Sequence, residues 1–106
     1  MKPWRFHQEV PEEIDQTARW YESNRPGLGA DFLIVLREVV SSLEEGSAVS
    51  SPAPEDPRAR RILLPRFPFG VVFVEAEDAF VIVAVAHHKR RPGYWSSRVG
   101  KRSGNE

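Results

Sequence analysis

A chain of 106 residues without cysteine fits one compact domain, excludes a disulfide framework and thiolate chemistry, and favours an open functional surface over a deep pocket. Its longest apolar run is the eight residues Ala79 to Ala86, and Met1-Lys2-Pro3-Trp4 opens no secretory signal, so neither a span of ~20 residues nor export is expected, and cytoplasm is the default. Net charge is zero, yet five basic and eleven acidic residues precede Pro57 while ten basic and four acidic ones follow from it, which points the second half toward an anionic partner or toward ion pairs with an acidic helical face.

Trp4-Arg5-Phe6-His7 alternates apolar with polar, the period of a half-buried strand. Pro11 then suits the first turn of a helix over Pro11–Arg25, with Glu12 and Glu13 where the helix dipole favours negative charge and Ile14, Ala18 and Tyr21 on one face. Trp20 and Tyr21 are candidate partner anchors, with core packing expected for Tyr21. Arg25-Pro26-Gly27 ends this helix, and Leu28, Phe32, Val35, Leu36, Val39 and Leu43 trace a second apolar stripe as far as Gly46. The short connection makes the pair an antiparallel hairpin. Ser47 to Pro57 has no period and reads as an exposed connecting loop.

Three strand signals follow, Arg61–Leu64, Gly70–Glu75 and Ala79–His87, the last two joined by a turn through Glu75-Ala76-Glu77-Asp78. The expected order is β-α-α-β-β-β. This is an α+β fold in which a helix hairpin packs on one face of a small antiparallel sheet, with a mixed edge allowed. Residues 1–98 would form the single domain and 99–106 a flexible tail. Val71 to Val74 and Phe80 to Ala86 are apolar at successive positions, so both sheet faces are hydrophobic and the helices can cover only one. A partner protein is expected to cover the other; the alternative is that the segment after Pro92, with Tyr94 and Trp95, folds back over it.

Trp20-Tyr21-Glu22, Pro26-Gly27-Leu28-Gly29-Ala30-Asp31-Phe32, Arg60-Arg61, Arg66-Phe67-Pro68-Phe69, and Ala84-Val85-Ala86-His87 followed by Arg90-Arg91-Pro92-Gly93-Tyr94-Trp95 occur in that order. Together they resemble the RelE/ParE family of toxins from type II toxin–antitoxin pairs, over roughly Phe6 to Arg98. The resemblance implies a cytoplasmic growth inhibitor held inactive by a cognate antitoxin that lays an extended, helical segment across it. It also implies contact with promoter DNA only through that antitoxin, and no membrane role. RelE-like members cut messenger RNA in the ribosomal A site, and ParE-like members poison DNA gyrase. His87 to Pro92, reading His-His-Lys-Arg-Arg-Pro, resembles the ParE-like strand end, and the long helix hairpin suits the same branch. A non-toxic binding module is a third reading.

Metal-free RNA cleavage needs a group to activate a ribose 2′-hydroxyl, cations to stabilise the phosphate, and a proton donor for the leaving oxygen. In a nuclease, Arg61 and Arg90 would be the phosphate-stabilising residues and His87 or Tyr94 the proton-transfer group. Otherwise His87 is a hydrogen-bonded structural residue ending a strand. Arg60, Arg66, Lys89, Arg91, Trp95 and Arg98 are candidates for binding target or antitoxin, with Trp95 either stacking on a base or covering the sheet. His87 and His88 are adjacent on a strand, point to opposite faces and make a poor chelating pair. No metal and no cofactor is expected.

Overall fold

The structure, a computed structural model, describes residues 2–100. The first strand, β1 (Trp4–Phe6), leads through Glu9 into α1 (Val10–Asn24), with Pro11 in the first helical turn, where its missing N–H costs nothing. The second helix, α2 (Leu28–Glu45), ends at Gly46 with φ 81°. The connection between the helices explains the motif seen in the sequence. Gly27 takes φ 89° and offers no side chain to cap α2, so Glu22 of α1 reaches across instead. Its carboxylate accepts from Gly27 N–H at 2.9 Å and Gly29 N–H at 3.0 Å, an anion at the positive end of the helix. A Cβ on Gly29 would meet the Ala18 carbonyl oxygen at 2.5 Å, so only glycine lets the two helix backbones come this close.

Five strands form one sheet in the order β1-β5-β4-β3-β2, completed by β2 (Ser51–Pro52), β3 (Arg60–Leu63), β4 (Phe69–Glu75) and β5 (Phe80–His87). All neighbours are antiparallel except β1 with β5, which are parallel; the mixed edge is therefore present in an otherwise antiparallel sheet. The two-residue β2 lies where the sequence reads as an exposed connecting loop. That expectation is corrected: Ala53, Asp56 and Ala59 are buried, and Ala53 N–H donates to the Ala59 carbonyl at 3.0 Å, closing the segment into a tight excursion along the sheet edge. Pro52 is tolerated because an edge strand has one side free of ladder bonds.

The helices cover one sheet face. Phe32, Val35, Leu36, Val39 and Leu43 of α2 meet Ile62, Phe69, Val71, Phe73, Ile82 and Val85, and Tyr21 joins Phe32, Phe67 and Phe69 in an aromatic cluster with ring centroids 5.0–6.2 Å apart. Tyr21 thus packs in the core, as expected, whereas Trp20 is 61% exposed. The opposite face carries a second core, Val72, Val81, Val83 and Ala84, and it is covered by Trp95, Val99 and Tyr94 from the C-terminal segment together with Ala53 and Ala59. The expectation that a partner protein covers this face is corrected. The chain's own tail does so, because a tryptophan and a valine placed by the 3-10 turn Ser96–Arg98 supply the apolar area that two short strands leave open. Val99, assigned by sequence to the flexible tail, is buried here; residues 101–106 lie outside the described residues.

One irregularity sets the orientation of everything downstream. Val72 pairs with Ala84 but Phe73 with Ile82, so Val83 is an extra residue in β5, a β-bulge. Val83 and Ala84 therefore face the second core together, and alternation resumes with Val85 under the helices. The bulge shifts parity by one position, and it is His87 rather than His88 that comes to rest under the helices against Phe69, ring centroids 4.9 Å apart. No helix among the described residues is long and apolar enough to cross a membrane.

Candidate functional site

Where β3, β4 and β5 end near the C-terminal segment, Arg61, His87, Arg90, Arg91, Tyr94 and Trp95 wall a cleft of about 60 Å³. Of the basic cluster expected from the sequence, Arg60, Arg61, Arg66, His87, Lys89, Arg90, Arg91 and Tyr94, the cleft brings together Arg61, His87, Arg90, Arg91 and Tyr94, and leaves Arg60, Arg66 and Lys89 outside. Gly70 gives Arg61 its place: a Cβ there would stand 3.0 Å from Arg61 Cδ, so the absent side chain lets the arginine stem lie across β4. Glu55, from the edge excursion, also lines the cleft, and nothing in the sequence singled it out; His88, dismissed there as a metal ligand, lines it too. Glu55 Oε2 lies 3.9 Å from Arg61 Nη1.

The proton-transfer candidates are committed elsewhere. His87 Nδ1 accepts the Lys89 backbone N–H at 3.0 Å, so the neutral ring carries its proton on the other nitrogen and serves to turn the chain at the strand end. The Arg90 guanidinium lies 3.9 Å from the centroid of the Tyr94 ring and that of Arg98 5.2 Å, a cation–π arrangement that holds ring and strand end together. The Tyr94 hydroxyl is buried, and burial, with the Glu13 carboxylate nearby, pushes its pKa up to about 12. A proton-transfer group works best with a pKa near the working pH. Tyr94 stays protonated, and its ring is a stacking surface.

Of the remaining candidates, Arg60, Arg66, Lys89 and Arg98 do not line the cleft, and Trp95 lines it from the second core. Arg60 donates to Ser50 Oγ and to the Ser50 carbonyl, both at 2.8 Å, and so fastens the edge excursion. Arg66 has φ 72°, pairs with Asp31 of α2 at 3.6 Å and lies over Phe67. The Lys89 side chain is exposed, its backbone being the part that contacts His87. Trp95, 3% exposed, covers the sheet and presents no face for stacking on a base. Arg98 is mostly buried, paired with Glu13 at 2.7 Å and donating to the Val83 carbonyl at 2.8 Å.

No family model matches the sequence, and no curated protein does. Among solved structures, a chain described as "Chromosomal ParDE TA system from P. aeruginosa" superposes with a TM-score of 0.70 at 19% identity, over 82% of this chain and 96% of that one. The fold is RelE/ParE-like. Within this fold the cleft is built from the end of the sheet and the segment that follows β5, and the edge excursion carrying Glu55 closes one side of it.

That excursion is fastened by Asp56. Its carboxylate accepts from Arg58 N–H and Nε at 2.9 Å, from Arg58 Nη2 at 2.7 Å and from the Ser96 hydroxyl at 2.7 Å. The Arg58 side-chain bonds above all, then the Arg58 backbone N–H and Ser96, hold the Asp56 carboxyl well below the usual carboxylate range. A carboxylate with a depressed folded-state pKa contributes stability that is present above the unfolded value of about 4 and is lost as pH falls toward the folded one. Asp56→Asn is therefore expected to lower stability at neutral pH and to flatten the acid limb of the stability curve below about pH 4. Urea denaturation across that range measures both, and parallel curves for the two proteins would count against this account.

Proposed function

We propose that the chain is the toxin of a type II toxin–antitoxin pair and that it acts by binding, in the ParE-like manner on DNA gyrase, from the cytoplasm. The likeness of fold to a chain of a ParDE system supports the toxin reading. The observation that carries binding over catalysis is the state of Tyr94 and His87: one holds its proton up to about pH 12 beneath a stacked arginine, and the other has Nδ1 occupied by a backbone N–H. The basic cleft is then a recognition surface. Because the chain's own tail covers the second sheet face, the cognate antitoxin falls to the helix side. There Trp4, Phe6, Ile14, Leu33, Leu36 and Val40 line an apolar groove of about 380 Å³. A helical segment with apolar residues at i, i+3 and i+4 suits such a groove.

The experiment is induction of the chain without an antitoxin, followed by assay of purified protein against gyrase and against translating ribosomes. Loss of supercoiling or accumulation of cleaved DNA complexes, with RNA intact, is expected. Cuts in the ribosomal A site that vanish in Arg61→Ala or Arg90→Ala would replace this reading with the RelE-like one, and normal colony growth would favour a non-toxic binding module.

A further inference from the structure

The cleft contains a contradiction in charge. Three arginines, Arg61, Arg90 and Arg91, line the cleft with one carboxylate, Glu55, and of the three only Arg61 forms an ion pair with it, at 3.9 Å. Glu55 approaches Arg61 through Nη1 alone, at 3.9 Å, beyond hydrogen-bond distance, and the buried Arg61 Nε–H meets no acceptor among the described residues. An arginine fork is satisfied by an oxyanion that engages two of its N–H groups at once, and a buried donor without an acceptor is costly. Glu55 is nevertheless kept at the site by its backbone. The next residue, Asp56, is clamped to Arg58 and Ser96, and Glu55 Cβ stands 3.3 Å from the position a Cβ on Gly93 would take. A fixed backbone with a loosely held carboxylate is the arrangement of an occupant that can be displaced.

Size and surroundings narrow what displaces it. About 60 Å³ is several times the ~10–15 Å³ that one water needs, room for a small polyatomic anion but not for a nucleobase. No aromatic face is free to stack on a base, since the Tyr94 ring lies under guanidiniums and Trp95 is in the second core. Two positive charges remain in excess after Glu55 is counted. They match a dianion with several equivalent oxygens.

We propose that this cleft is a binding site for a terminal phosphate group and that Glu55 is a built-in competitor whose carboxylate such a ligand displaces. The site stands on the cleft alone and remains if gyrase proves not to be the target. Titration of the full chain with inorganic phosphate, followed by NMR shifts and calorimetry, tests it, with acetate as the carboxylate control. Glu55→Gln removes a like charge from the cleft and is expected to tighten phosphate binding about tenfold. Arg61→Lys, which keeps the charge but loses the fork, and Arg91→Gln, at an exposed position, are each expected to weaken it about tenfold. Melting curves verify that each variant is folded; if Arg61→Lys is not, the Glu55 and Arg91 variants decide. Unchanged affinity in Glu55→Gln, an indifferent Arg91→Gln, or acetate binding as tightly as phosphate would each overturn the proposal. Adenosine monophosphate and phosphoserine are both expected to bind, and a preference for one identifies the source of the phosphate.

Discussion

Replacing Trp95 with alanine is expected to cost about 3–5 kcal/mol of folding stability, a large part of the ~5–15 kcal/mol that holds a domain together. Trp95 is 3% exposed and sits on Val72, Val83 and Ala84, with Val99 beside it. Its removal leaves a cavity on a sheet face that no helix covers and loosens the segment that also bears Tyr94 and Arg98. Urea denaturation should show a lower midpoint with a similar slope. Hydrogen exchange should show β4 and β5 amides opening more readily, and Trp20→Ala, at a site 61% exposed, should stay within about 0.5 kcal/mol of the parent. A loss below about 1 kcal/mol at Trp95 would mean that the tail is not a structural cover, and would return the second face to a partner protein.

Trp95 also marks where the sequence stops being informative. The helix hairpin was legible because Phe32, Val35, Leu36, Val39 and Leu43 keep a helical period and all five are buried, and Glu22, Gly27 and Gly29 form the motif that joins the helices. The strands were legible as strands but not as faces. In Val81 to Val85 every residue is apolar, so the pattern holds no record of parity, and the bulge at Val83 that decides which histidine lies under the helices leaves no trace. The cleft was legible in its basic members, all near chain positions 61 and 87–95. Glu55 was not, since it reaches the cleft through an Asp56–Ser96 bond spanning 40 residues within a stretch of Ser, Pro and Ala without period. Arg98 was assigned to partner binding for the same reason: its counter-charge lies on α1, and a charge pattern read along the chain cannot find it.

Arg98 bears the second large effect. Strand β1 pairs with β5 only from Phe80 to Ile82, so past the bulge the β5 edge on that side has no strand to satisfy it. Arg98 donates to the Val83 carbonyl at 2.8 Å, and Glu13 of α1 accepts the Val85 N–H at 3.4 Å. The two side chains meet at 2.7 Å while 11% and 16% exposed, so this ion pair substitutes for the missing strand and fastens the tail to α1. Arg98→Met keeps the stem and deletes the charge, leaving a mostly buried carboxylate and a strand carbonyl without their partner. A loss of about 3 kcal/mol is expected, because removing one member of a buried pair exposes the desolvation penalty of the other. Adding Glu13→Gln should recover part of it, and the double-mutant cycle gives the coupling. Additive single losses would mean that water already separates the pair. Any toxicity or antitoxin-binding defect in an Arg98 variant is therefore expected to track its stability, and a defect at full stability would restore Arg98 to the partner-binding surface.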